Sequence, residues 1–543
     1  MSRSAKRERG YIGLGRAFLL GLGPAAGLVL ACTLSPEPRF EVHDPDPHPE
    51  APDDGYTALR ETTARIRGLE FLEPVAIHEV ERAAVPELVR FELEEAQPPS
   101  YAEASRDAYA ALGVLPVDID LIDTWLSLHR EQLIGMYSPS RRAMFVVSDP
   151  AQPGGYEADV TVTHEMIHAL QHQHFEQTVA LLRGLRRNDD VLSAISAAME
   201  GDAFLSMFAG SSESVFERSM ESAERLRRGM LVELSDPSGN LASVPRLLRV
   251  SLVFPYAHGV VIAARAYSGE SCSSWLPVEL WAPPWCRGNR GLDRMLEDPP
   301  LSSGRVLFPD QDASVEFVKL PSEALEAQAR ERDCTVSFDN VVGAMTLGVL
   351  LEDFRAPKAE IEALLPAWRG DRFAYLSCPE SREFAWLSRW DTAESAQHFA
   401  HVYASIASAL AEGRLSAPPE VYTAGRTALV LTSGLRADRD WILAGTEIRE
   451  YRSFRDWVED DCFPETPCPV AADVIMPVAA PGSSSGGAAP EGGEVCGRPG
   501  ACRGIKAWHF EYFWLFQRSS GSPTGSTASS CRSRWPSRRV SAR

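Results

Sequence analysis

The sequence predicts an α+β protein, and three observations carry the prediction. Several long stretches repeat apolar residues at helical spacing, the clearest lying at 58–69, 102–112, 119–134, 158–175 and 190–208. A short apolar run, Ala143-Met144-Phe145-Val146-Val147, sits between the turn signals Ser138-Pro139-Ser140 and Asp149-Pro150 and reads as a strand. Beyond about Pro357 the short apolar runs Phe373–Leu376, Phe384–Leu387 and Ala428–Thr432 surround a helical stretch from Ala393 to Glu412, which describes a second, smaller α+β unit.

Composition bounds what the protein does. With 543 residues, 44% of them hydrophobic, the chain can build a large core. Its 75 acidic residues against 54 Lys and Arg give a formal charge of −21, which excludes a general nucleic-acid binder, because phosphates need a basic surface. Ten cysteines in this length are too few for a small disulfide scaffold.

The N-terminus reads as a targeting segment. Arg3, Lys6, Arg7, Arg9 and Arg16 precede an apolar stretch from Ala17 to Ala31, of signal-peptide length and shorter than a membrane span. It ends Val29-Leu30-Ala31-Cys32, which resembles a bacterial lipoprotein signal, so Cys32 is the expected lipid attachment site and membrane contact. Ordinary secretion with Cys32 in a disulfide is the alternative. Residues 33–55 are Pro- and Asp-rich and read as an acidic tether. The remaining organisation follows the pattern shifts: a main domain over 56–355, the small unit over 356–460, and a Cys-containing low-complexity tail over 461–543. No later stretch is uninterruptedly apolar for the roughly 18 residues a span requires.

Individual elements have local reasons. Asp118 is placed to cap the helix that begins at Ile119, and Asp189 or Asp190 the one that runs to Phe208. The strand 143–147, with its edge-like turn residues, precedes the helix over 158–175, as expected if an extended substrate pairs along that edge.

That helix contains His164-Glu165-Met166-Ile167-His168. Histidines at i and i+4 share a helix face with about 5–6 Å between their Cβ atoms, so two imidazole nitrogens can meet on one Zn²⁺. Glu165 lies beside that face, within reach of a zinc-bound water whose pKa the metal lowers to about 7. It is the candidate general base, taking the water proton and delivering it to a leaving amine.

A third ligand is needed. Glu200 lies among Ala197, Ala198, Met199, Gly201 and Ala203, and a carboxylate in so apolar a helix is costly unless it is paired or bound to a cation. Ala197, Ala198 and Gly201 would allow close approach to the histidine helix. His174 competes, at the spacing of HExxHxxGxxH, but the Gly of that pattern is Gln171 here. His172 and His174 otherwise read as polar residues near a helix end, where a charged imidazole suits the dipole. Candidate donors to a developing oxyanion are Tyr256, His258 and Arg265, and Asp202 is placed to orient a ligating histidine from behind.

These residues resemble the gluzincin branch of zinc metallopeptidases, which pair HExxH with a distant Glu on a following helix. More narrowly they resemble poorly characterised bacterial exported zincins, through HEMIHALQHQHF (164–175) and MEGDA (199–203). The likeness extends to Ile134–Pro139, Phe254-Pro255-Tyr256, Asp298-Pro299-Pro300 and Trp368–Phe373. It implies a zincin-like metallopeptidase domain: a small mixed sheet, an active-site helix and a glutamate helix. It also implies one Zn²⁺ on His164, His168 and Glu200, with Glu165 as base. Two departures are His172, where an acid is expected, and Ala344 after Gly343, where a Glu is expected; neither removes an implied ligand.

The function expected is zinc-dependent hydrolysis of peptide bonds, on a peptide or protein substrate, by a protein held at the bacterial cell envelope. The alternative is a catalytically inactive zincin-fold lipoprotein serving as a binding or scaffold protein; hydrolysis of a non-peptide amide is a further rival. The cysteines beyond Cys32 suit an oxidising compartment, with Cys272–Cys286, Cys334–Cys378, Cys462–Cys468 and Cys496–Cys502 as plausible pairs and Cys531 left over.

Overall fold

The structure is a computed structural model, and it describes residues 55–465 and 468 apart from 97–98, 131–132, 149–155, 212–217, 236, 238, 271–285 and 312–313. The expected signal segment with Cys32, the tether up to residue 54, and the tail beyond 468 lie outside the described residues, as do Cys272, Cys496, Cys502 and Cys531.

Helices and small sheets make up a mixed α+β architecture. Its first sheet has three strands, β1 (Ala76–Glu81), β2 (Gly135–Ser138) and β3 (Ala143–Ser148), in the order β1-β3-β2. β3, the strand legible in the sequence, is the central one: it runs parallel to β1 and antiparallel to β2. The sheet edge nearest the HExxH residues is therefore β2, a four-residue strand too short and too lacking in β-branched residues to announce itself.

Two long helices pass beside this sheet. The histidine helix, Tyr156–His174, buries residues around its whole circumference, including Val162, Met166, Ile167, Ala169 and Leu170. A helix wrapped in apolar contacts on all sides belongs to a protein interior. The glutamate helix, Asp189–Ser211, is equally enclosed. Its cap is neither Asp189 nor Asp190 but Asn188, whose Oδ1 accepts from Val191 N at 3.1 Å. Similarly, Asp120 rather than Asp118 caps Leu121–Arg130, accepting from Asp123 N at 2.8 Å.

The glutamate helix packs most closely not on the histidine helix but on Arg246–Ser268. A Cβ added to Gly201 would stand 2.1 Å from Gly259 O, and one added to Gly259 would stand 2.2 Å from Ala197 O. The small residues of the glutamate helix thus admit the backbone of Arg246–Ser268. That helix is long and apolar enough to cross a membrane, yet 72% of its most apolar window is buried inside the fold, as a core helix would be.

The later strands are β4 (Val315–Lys319), β5 (Thr335–Asn340), β6 (Trp368–Ser377), β7 (Arg382–Trp390), β8 (Glu420–Ala424), β9 (Thr427–Leu431) and β10 (Glu447–Tyr451). Five of them form an antiparallel sheet in the order β5-β6-β7-β9-β8, packed against helix Ala393–Ala411, whose cap Thr392 accepts from Ser395 N. This sheet starts before residue 355, since β5 supplies its first strand. β10 meanwhile returns to pair with β4. The described residues consequently fall in one compact unit rather than two. Cys334–Cys378 is a disulfide that staples the adjoining ends of β5 and β6, and Cys462–Cys468 is a second.

Candidate metal centre

The one-turn spacing of His164 and His168 places their rings edge to face, centroids 4.7 Å apart, with His164 2% and His168 8% exposed. Glu200, 2% exposed, projects from the glutamate helix into the same point. His164 Nε2 lies 3.1 Å from Glu200 Oε2, His168 Nε2 lies 3.4 Å from it, and the two Nε2 atoms are 3.0 Å apart. These three are the group among the described residues whose ligand atoms converge closely enough to hold a metal ion.

The donor set fits such an ion. Ligand atoms about 2.0–2.1 Å from a tetrahedral Zn²⁺ stand roughly 3.3 Å from one another, close to the three separations here. Two neutral imidazoles and a carboxylate would offset half of a divalent charge, and three protein donors leave one position of a tetrahedral ion for water or substrate, the ligand count of hydrolytic sites. Without an ion the group balances itself with protons. Burial pushes the Glu200 carboxyl up, but His168 and the hydrogen bonds from both imidazoles outweigh it and bring it down to about 2. Burial in turn lowers His168, yet Glu200 prevails and raises it to about 9. A cation entering here displaces a proton, as metal binding to imidazole generally does.

Glu165, 4% exposed, points toward β2. Its Oε2 accepts from Tyr137 N at 2.9 Å, and a Cβ on Gly135 would stand 3.5 Å from its Cγ. Burial raises its pKa, with the two histidines opposing. Ile134 O accepts from Val147 N, so along β2 the main-chain groups of Gly135 and Tyr137 turn the other way, outward, where Glu165 meets Tyr137.

The remaining sequence candidates separate clearly. Tyr256, 3% exposed, stands beside the centre with its ring 6.3 Å from that of His164. His258 instead lies against the Phe254 ring at 5.1 Å, and Arg265 pairs with Asp310 at 2.8 Å, near the far end of its helix. His174 hydrogen-bonds Glu70 O at 2.8 Å and is not part of the ligand group. His172 is not a charged partner of the helix dipole: it is buried, its Nδ1 shares a hydrogen bond with the Tyr137 hydroxyl at 2.8 Å, and burial together with Arg142 and Arg183 lowers its pKa to about 4.

Asp202 touches no ligating histidine. Gln171 stands between them: its Oε1 is 2.8 Å from His168 Nδ1, and its Nε2 donates to Met199 O and Asp202 Oδ2, both at 2.9 Å. Asp202 Oδ2 also receives Arg67 Nε at 2.9 Å, and Arg67 Nη1 lies 2.8 Å from Asp293. Gln171, Arg67 and Tyr137 are the residues that sequence reasoning missed. Gln171 had a signal, since i+3 from His168 keeps it on the ligand face. Arg67 had none, because an Arg in the last turn of an amphipathic helix reads as a solvated cation.

The model of one family, a domain of unknown function (DUF8575), matches residues 334–444, a segment that runs from the residue before β5 into the Arg439–Gly445 helix and contains none of the ligand group. No curated protein and no solved structure matches the chain.

Proposed function

We propose that this chain is a zinc-dependent hydrolase of peptide bonds with a zincin-like, gluzincin-type centre: His164, His168 and Glu200 hold the ion and Glu165 is the general base. The observation that supports this most is the convergence of three buried ligand atoms from two helices, with a second, non-ligating carboxylate, Glu165, beside them. A purely structural metal site has no use for Glu165. Zinc on this donor set supplies Lewis acidity, polarising the carbonyl to be split and acidifying the attacking water.

The chain's own groups do the rest. The Tyr137 N–H holds Glu165 Oε2, which leaves Oε1 to take the water proton and pass it to the leaving amine nitrogen. Tyr256 is the candidate donor to the carbonyl oxygen as it becomes negative. The outward N–H and C=O of Gly135 and the C=O of Tyr137, whose N–H is taken by Glu165, suit an extended peptide added along the β2 edge, the reason a peptide is the substrate class. In this reading the protein works outside the cytoplasm, anchored through a lipid on Cys32.

The test is digestion of casein or a peptide library by the full-length protein, alongside its zinc content. Wild type cleaves, while Glu165→Gln keeps zinc and is inactive. A wild type that holds zinc and cleaves nothing would instead favour a zincin-fold binding protein.

A further inference from the structure

We propose that Arg67, Asp202 and Gln171 form a positioning chain that fixes which nitrogen of His168 is offered to the metal; the proposal rests on the metal-site reading above. Its direction follows from donor and acceptor chemistry alone. Arg67 is fully buried, is a cation under all ordinary conditions and can only donate. Asp202, also fully buried, faces Arg67 Nε through Oδ2 and accepts there, while Ser206 Oγ donates to its Oδ1 at 3.2 Å. The second partner of Oδ2, Gln171, must therefore present its NH2 group. The Met199 carbonyl, which can only accept, imposes the same orientation independently.

With its NH2 committed twice, Gln171 can turn only Oε1 toward His168. A carbonyl oxygen has no proton to give, so His168 Nδ1 must be the protonated nitrogen. When a metal displaces the Nε2 proton, Nε2 offers the lone pair, and it is the Nε2 atom that stands 3.0 Å from His164 Nε2 and 3.4 Å from Glu200. The contrast with His164 sharpens the assignment: its buried Nδ1 has no hydrogen-bond partner among the described residues. His168 is the ligand held in a set tautomer. The chain also makes the Thr57–Arg67 helix part of the centre, since Arg67 is its last residue and is clamped on its other side by Asp293 of the Asn289–Glu297 helix.

The experiment is a zinc titration of the full-length protein against a chromophoric chelator, for wild type, Gln171→Met and Arg67→Met, with unfolding curves of the metal-free forms. Gln171→Met should bind zinc about 10–100-fold more weakly, the usual effect of removing a partner behind a ligating histidine. Nitrogen-15 spectra of histidine-labelled, zinc-loaded wild type give a variant-free check: His168 should carry its proton on Nδ1, in a slowly exchanging hydrogen bond. Unchanged zinc affinity in a folded Gln171→Met, or a proton on Nε2 of His168, would overturn the proposal. A wild type that takes up no zinc overturns the metal-site reading itself.

Discussion

Gly201→Ala tests the link between helix packing and the proposed metal centre. The new methyl carbon would stand 2.1 Å from Gly259 O and 2.3 Å from its carbonyl carbon. Carbon and oxygen approach no closer than about 3.3 Å in ordinary contacts, so the two helices must separate by about 1 Å. A main-chain carbonyl cannot rotate aside, which puts the overpacking cost near the top of its range, about 3 kcal/mol. Alanine's better helix propensity returns about 1 kcal/mol, leaving a net loss of about 2 kcal/mol. Glu200 is the adjacent residue and moves with the backbone. A shift of about 1 Å exceeds the tolerance of roughly 0.2 Å on a ligand distance, so zinc affinity should fall about tenfold or more. Chemical unfolding and chelator competition measure the two effects. Gly229→Ala is the control: it lies in helix Met220–Ser235 with nothing within 4 Å of an added Cβ, and it should stabilise by about 0.5–1 kcal/mol. A Gly201→Ala protein as stable and as metal-avid as wild type would refute the packing account.

Two buried groups should impose opposite pH dependences on stability. Burial raises Asp190 to about 7, with Asp371 pushing the same way, so between about pH 4 and 7 the unfolded chain releases a proton that the folded one keeps. Stability falls as pH rises through that window, by about 1.4 kcal/mol for each pH unit crossed; Asp190→Asn should flatten the fall, and parallel unfolding curves would count against it. His172, lowered to about 4, stays neutral in the fold while the unfolded imidazole protonates below about 6.5. Its contribution is present above pH 6.5 and is lost as pH falls toward 4, a loss that unfolding midpoints of His172→Gln should not show. Replacing Cys334 and Cys378 together with Ala removes a staple across 44 residues and should cost about 2–4 kcal/mol in denaturant titrations, with zinc uptake unchanged.

Much of the centre was legible because its elements obey local rules. Helix Tyr156–His174 follows from apolar spacing, and two histidines one turn apart need no tertiary information to share a face. Glu200 stood out as a charge among Ala and Gly, which only pairing or a cation relieves. The misses have a common cause in partners distant along the chain. β1 is largely exposed and lacks a clean alternation, and β2 is four residues long, so both become strands through pairing with β3. Gln171 looked like a missing glycine until Asp202 and Met199 were seen beside it. The boundary near 355 followed a real change in sequence pattern, but β5 and β10 join strands from either side of it, and pairing across such separations leaves no local trace.

The most direct measurement is metal content per chain in the purified full-length protein, wild type beside Glu200→Ala and His164→Ala. A His164, His168 and Glu200 centre predicts about one zinc in wild type, largely lost in both variants, with the fold retained. A metal-free wild type grown and purified with zinc present, or variants that keep a full equivalent, would contradict it.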